Sequence, residues 1–186
     1  AGKSSLISAV SSARPKVADY PFTTLYPNLG VVRAGSERSF VIADIPGLIE
    51  GAAEGAGLGV QFLKHLSRTR LLLHLVDMVP MDESSPADAV RCILAELEKY
   101  GHDLAGRERW LVLTKRDLLD DAGLAVRRAA LLEELDWQGP VFVVSSVARQ
   151  GLDELIQALA RRLDELQTAA PAEAVNDDES YDPLKT

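Results

Sequence analysis

The stretch Ala1-Gly2-Lys3-Ser4-Ser5, running on into Leu6-Ile7-Ser8-Ala9-Val10, decides how the rest of the chain is read. Gly2, Lys3 and Ser4 fill the closing positions of G-x-x-x-x-G-K-[ST], a loop that cradles phosphate where a buried strand turns into a helix. The residues after Ser4 continue in a helical pattern. The first glycine of the motif and the strand ahead of it would precede residue 1, so the sequence reads as a fragment that opens inside its phosphate loop. Taken alone, Gly-Lys-Ser is a short pattern that a solvated turn also produces, and the residues further along must decide.

Length and composition set the outer bounds. A chain of 186 residues suits one domain with a substantial core, and 47% hydrophobic with 26% charged residues is a globular profile. The formal net charge is −8, and about half of it comes from Glu173, Asp177, Asp178, Glu179 and Asp182 against Lys185. That balance speaks against a basic nucleic-acid footprint spread over the domain, and no sequence-specific nucleic-acid motif is present. A lone cysteine, Cys92, excludes an internal disulfide and is compatible with a reducing compartment. It falls within the helical pattern Ala89-Val90-Arg91-Cys92-Ile93-Leu94 and reads as a packing residue rather than a reactive thiol. The apolar runs around Leu71 to Val76 and Val141 to Val144 are far too short to span a bilayer.

Further along, strands alternate with helices. Gly30-Val31-Val32-Arg33-Ala34 and Ser39-Phe40-Val41-Ile42-Ala43-Asp44 predict two strands joined by a turn at Gly35-Ser36-Glu37. A loop rich in Pro, Thr and Tyr precedes them from Arg14 to Asn28; a Gly-rich stretch from Pro46 to Gly59 and an amphipathic helix near Val60 to Ser67 follow. Leu71 to Asp77, Trp110 to Leu113 and Val141 to Val144 are nearly unbroken apolar runs, as strands covered on both faces require. Each precedes a predicted helix: Pro86 to Tyr100, Gly123 to Leu135 and Leu152 to Leu166. This alternation specifies an α/β domain with a mostly parallel sheet, helices on both faces and one antiparallel edge strand. The composition beyond Gln167 predicts an acidic disordered tail, residues 167–186, after a domain spanning 1–166. His74, inside an apolar run, reads as a satisfied core histidine rather than a ligand.

Ligands of such sheets sit beyond the carboxyl ends of the strands. Asp44-Ile45-Pro46-Gly47, Thr114-Lys115-Arg116-Asp117 and Ser145-Ser146-Val147 each leave a predicted strand. With Gly2-Lys3-Ser4 and Thr23-Thr24 they follow the order of a GTPase. In that reading Lys3 meets the β- and γ-phosphates, while backbone N–H groups of the loop and helix start cradle them. The Ser4 and Thr24 hydroxyls ligate Mg²⁺, Asp44 holds the metal through water, and Gly47 lets its N–H approach the γ-phosphate. Asp117 accepts from guanine N1–H and the 2-amino group, Lys115 lays its stem along the purine, and an N–H near Ser146 meets O6. Taken singly, Asp44 and Asp117 read equally well as strand-end or capping residues, Lys115 and Arg116 as solvated charges, and the glycines at 47, 51, 55, 57 and 59 as an inert loop. Their joint order is what favours the nucleotide.

Over longer runs the sequence resembles the GTPase domain of the Obg family of bacterial P-loop GTPases. The resemblance rests on Lys16-Val17-Ala18-Asp19-Tyr20-Pro21-Phe22-Thr23-Thr24-Leu25 and on Asp44-Ile45-Pro46-Gly47-Leu48-Ile49-Glu50-Gly51-Ala52-Ala53-Glu54-Gly55. The second run continues as Gly57-Leu58-Gly59-Val60-Gln61-Phe62-Leu63-Lys64-His65-Leu66, and the whole likeness covers residues 1 to about 166. It implies a P-loop GTPase fold, GTP hydrolysis with Mg²⁺, and a role in assembly of the large ribosomal subunit and in growth or stress control. It also implies nucleotide contacts from Ala1, Gly2, Lys3 and Ser4; from Phe22, Thr23, Thr24, Leu25 and Tyr26; from Asp44, Ile45, Pro46 and Gly47; and from Thr114 to Asp117 and Ser145 to Val147. Lys3, Thr24 and Gly47 are the implied catalytic residues, and Ser4 and Thr24 the metal ligands. Thr114 stands where the family usually has Asn, so a contact bracing that loop is expected to weaken; Ser146 replaces a common Ala. Leu48 occupies the place where many GTPases carry a water-orienting Gln, which predicts slow unaided turnover. In this fold the strand feeding the phosphate loop is central. A chain of these residues alone should therefore leave a gap between the strands ending at Asp44 and Asp77, with poor stability and weak nucleotide affinity.

Overall fold

The structure, a computed structural model, describes residues 2–12, 16–17, 28–44, 69–82, 84–100 and 106–169. Its elements in chain order are α1 (Lys3–Val10), β1 (Lys16–Val17), β2 (Asn28–Ala34), β3 (Arg38–Ala43), β4 (Leu72–Asp77), α2 (Pro86–Tyr100), β5 (Arg109–Thr114), a 3₁₀ turn (Arg116–Leu118), α3 (Asp121–Glu134), β6 (Val141–Val143) and α4 (Leu152–Ala169). The expected α/β architecture is present, with the bounds of the described elements within a few residues of the sequence reading; the predicted helix at 60–67 lies outside the described residues.

The apolar runs build a parallel sheet in the order β4-β5-β6. Asp77 lies opposite Thr114, and Leu113 opposite Val143. Parallel neighbours need long connections, and α2 and α3 lie in them. Alternate β5 side chains point to opposite faces, and each face has its own helical cover. Trp110 and Val112 pack with Leu6 of α1 and with Leu152, Leu155 and Leu159 of α4. Leu111 and Leu113 pack with Ala87 and Val90 of α2 and Leu131 of α3. Trp110 also stacks on Phe142, with ring centroids 5.2 Å apart. Leu111, Val112 and Leu113 have no exposed surface, so truncating either leucine to Ala would cost about 2–5 kcal/mol.

The other strands form a separate sheet, β1-β2-β3, in which both pairings are antiparallel. The sequence foresaw only one antiparallel edge strand; the short turn at 35–37 joins β2 to β3, and Lys16–Val17 adds a further strand beside β2. β3 and β4 do not pair. A cavity of about 1230 Å³ is lined by consecutive residues of both strands, Ser39–Asp44 on one side and Leu71–Asp77 on the other. The facing residues of β3 and β4 are thus separated by this cavity rather than hydrogen-bonded to each other.

Two expectations are amended. α4 runs to Ala169, so residues 167–169 are helical rather than part of a tail. Gln, Thr and Ala sustain a helix, and Pro171 opposes its continuation. His74 is indeed a core residue at 8% exposure, but its buried Nδ1 has no hydrogen-bond partner among the described residues, so it is not satisfied there. Cys92 is half-buried and borders the cavity. No helix among the described residues is long and apolar enough to cross a membrane.

Candidate nucleotide site

The site begins at the amino end of α1. Gly2 precedes the helix with φ +80°, a conformation in which any side chain is strained, and its carbonyl accepts the Leu6 N–H at 2.9 Å. The first N–H groups of a helix lack partners within it, and their dipoles favour an anion. Ser4 is exposed at this end, and Leu6 and Ile7 anchor the helix in the core. Lys3 Nζ lies 3.2 Å from Asp44 Oδ1, just past the end of β3. Asp44 is nearly buried at 11% side-chain exposure, and its Oδ1 has no aligned hydrogen bond among the described residues despite the close ammonium. The ion pair joins the phosphate-loop lysine to the aspartate of the second motif, as the sequence grouped them.

The guanine motif leaves β5 by a sharply bent path. Thr114 is buried, and its Oγ1 donates to Val76 O of β4 at 3.1 Å. The hydroxyl that replaces the expected Asn thus still braces the loop, toward the neighbouring strand. Lys115 has φ 63° and ψ 34°, a left-handed conformation that a lysine adopts only when its surroundings fix it. Arg116 N–H donates to Val144 O at 3.2 Å, and Leu118 N–H returns to Lys115 O at 3.1 Å. Arg116 sends its side chain to Asp121 at 2.9 Å, an exposed pair, while Asp117 stays exposed.

Ser145 opens the third motif. It is 1% exposed, its Oγ accepts from Ala148 N–H at 2.9 Å, and its backbone pairs with Gln150 in both directions. Gly151 follows with φ +69°; a Cβ there would collide with Val143 O, so only glycine permits this tight return. These bonds hold the turn, while Ser146 N–H donates to no described residue and Val147 is 87% exposed.

Lys3, Asp44, Asp77 and Lys115 all border the same cavity. The described residues therefore bring together Lys3 with Asp44, and set Thr114–Asp117 and Ser145–Val147 at adjacent strand ends. Ala1, Phe22, Thr23, Thr24, Leu25, Tyr26, Ile45, Pro46, Gly47 and Leu48 lie outside the described residues. One contact beside the motifs escaped the sequence reading. Asp77 was only a strand end there, yet its Oδ2 sits 2.7 Å from Lys115 Nζ. An acid ending the strand beside the motif-bearing strand was the available signal.

Mg²⁺ suits the oxygen donors present. Asp44 offers a buried carboxylate oxygen with no aligned donor, and Ser4 an exposed hydroxyl at the helix end. No group of at least three His, Cys, Asp or Glu capable of holding a metal occurs among the described residues, so remaining ligands would come from phosphate and water.

Comparison with known proteins bears on the family and the fold. The family described as 50S ribosome-binding GTPase matches residues 1–115. The cytosolic domain of the T. maritima FeoB iron transporter in its GMPPNP form is 22% identical with a TM-score of 0.60, covering 96% of this chain and 64% of that one. The chain spans 60% of the same cytosolic domain in its apo form. The G domain of that transporter is 21% identical with a TM-score of 0.58, covering 89% and 91%. Nucleolar GTP-binding protein 1 from Plasmodium falciparum is 17% identical with a TM-score of 0.60, covering 90% and 82%. At these identities the structural likeness is one of fold. The family match takes in residues 2–4, 16–25, 44–66 and 114–115, and the chain belongs to the 50S ribosome-binding GTPase family as a GTP-binding GTPase domain of P-loop fold.

Proposed function

We propose that this domain binds GTP with Mg²⁺, hydrolyses it slowly to GDP and phosphate, and acts as the cytoplasmic nucleotide switch of an Obg-type GTPase in large-subunit ribosome assembly and in growth or stress control. The family match over residues 1–115 carries the nucleotide reading, and the Lys3–Asp44 pair, with Lys115 bordering the same cavity, supports it. The long runs at 16–25 and 44–66 support the narrower Obg assignment. The domain would occupy the helical and sheet residues through Ala169, with the acidic segment after it.

Phosphoryl transfer needs positioning and charge stabilisation more than covalent chemistry. Lys3 would turn from Asp44 to the β- and γ-oxygens as phosphate arrives, because triphosphate offers more charge than one carboxylate. Asp44, released from the ammonium, would then hold a metal-bound water, with Ser4 and Thr24 supplying hydroxyls. Mg²⁺, when bound, offsets the negative charge of the phosphates. Asp117 would select guanine, and Ser146 N–H would meet its O6. Gly47 and Thr24 would follow the γ-phosphate, ordering the switch segments until hydrolysis releases them.

Leu48 cannot hydrogen-bond the attacking water, so unaided turnover is slow in this reading. Single-turnover GTP hydrolysis, measured with and without ribosomal particles, tests it. Stimulation by the particles is expected, and fast unaided hydrolysis would sink it. Sedimentation with large-subunit particles should depend on which nucleotide is supplied; co-sedimentation blind to nucleotide would remove the switch.

A further inference from the structure

We infer that Asp77 is a positioning residue for guanine binding, acting through Lys115. The inference rests on the guanine-site reading above and assigns a role to a residue outside the motifs.

Parallel register sets Asp77, the last residue of β4, beside Thr114, the last of β5. Its carboxylate is used on both oxygens: Oδ1 accepts Val79 N–H at 3.0 Å, and Oδ2 lies 2.7 Å from Lys115 Nζ. The same ammonium donates to Val79 O at 3.2 Å. Lys115 is thus fixed at its head by Asp77 and Val79 and at its root by the left-handed backbone between Thr114 and Arg116. A lysine side chain ordinarily loses much rotamer freedom when it becomes part of a binding surface. Here that freedom is spent before any ligand arrives, so the aliphatic stem waits as a preformed rail at the cavity edge. With side-chain exposures of 22% for Asp77 and 35% for Lys115, the pair is screened by solvent, and its effect should be moderate.

Asp77→Asn keeps an oxygen for Val79 N–H and removes the charge that holds Lys115. Equilibrium titrations of the protein with GDP and with IDP, which lacks the 2-amino group, separate the roles. Asp77→Asn should weaken both nucleotides about fivefold and leave their ratio unchanged, since the ratio belongs to Asp117. In a Lys115→Ala background the same change should have no further effect, and Asp77→Glu should recover part of the loss. Thermal melting of the free protein checks that each variant folds. Equal weakening by Asp77→Asn with and without Lys115 would overturn the inference, as would a shifted GDP-to-IDP ratio. If the wild-type protein prefers GDP over ADP and Asp77→Asn is neutral, only this inference falls. If the wild type shows no guanine preference, the site reading falls with it.

Discussion

His74 shows how one side chain sets a pH dependence. It lies in the middle of β4, and burial, helped by the charge of Arg109, lowers its pKa from 6.5 to about 4. In the unfolded chain the ring takes up a proton near pH 6.5, whereas in the folded protein it stays neutral until about pH 4. Between those values the unfolded state binds more protons, so stability falls as pH drops and is insensitive to His74 above that window. The full effect is on the order of 3 kcal/mol. Denaturant unfolding at pH 7 and pH 4.5 should show a loss that His74→Leu largely abolishes; equal losses in both proteins would exclude His74 as the cause. A second single-residue constraint is Gly151, where an Ala would have to hold a positive φ and push aside Val143 O. Gly151→Ala should lower stability by well over about 1 kcal/mol, and an unchanged melting temperature would contradict the geometry. The place of His74 in the core was legible from the apolar run around it. Its orphaned Nδ1 was not, because that depends on which polar atoms neighbouring elements fail to bring.

At the level of elements, α4 is clamped to the sheet by charge as well as by its leucines. Arg162 grips Glu108 through Nε and a terminal nitrogen at 2.8–3.0 Å, and Glu108 also accepts Trp110 Nε1–H at 2.9 Å. The Arg162 bonds hold the Glu108 carboxyl below the usual carboxylate range. Both side chains are partly solvated, so Glu108→Gln should cost only about 1 kcal/mol, read as a small drop in melting temperature with the fold unchanged. A loss several times larger would mean that the clamp, rather than the apolar face, holds α4. Strands and helices were readable because their periodicities are local: Leu71 to Asp77 declares a buried strand, and α4 repeats apolar residues at Leu152, Leu155 and Leu159. The positions of Thr114–Asp117 and Ser145–Val147 just past β5 and β6 were readable for the same reason, as short strings at strand ends. Asp77 with Lys115 was not readable, since that pair arises from the register of strands far apart in sequence. The third antiparallel strand, Lys16–Val17, has the same origin: two residues are too few to show a period, and pairing with β2 alone defines it.

Across the whole molecule, the sheets β1-β2-β3 and β4-β5-β6 face a common cavity rather than each other's hydrogen-bonding edges. Much of its wall is apolar, including Leu6, Ile7, Phe40, Leu73 and Leu75, so 8-anilinonaphthalene-1-sulfonate should fluoresce strongly on binding the folded protein. Fluorescence no greater than that of a close-packed control would show the cavity to be closed in solution. Lys3, Asp44 and Lys115 of the proposed site border this cavity, and the central claim is that the loops carrying them act as one. Nuclear magnetic resonance titration of the ¹⁵N-labelled protein tests it directly by following the amides of Gly2–Ser4 and of Thr114–Asp117 as GDP and Mg²⁺ are added. Both groups should shift together with a single dissociation constant, and ADP at the same concentrations should leave Thr114–Asp117 unmoved. Independent responses of the two loops, or an equal response to ADP, would contradict the account.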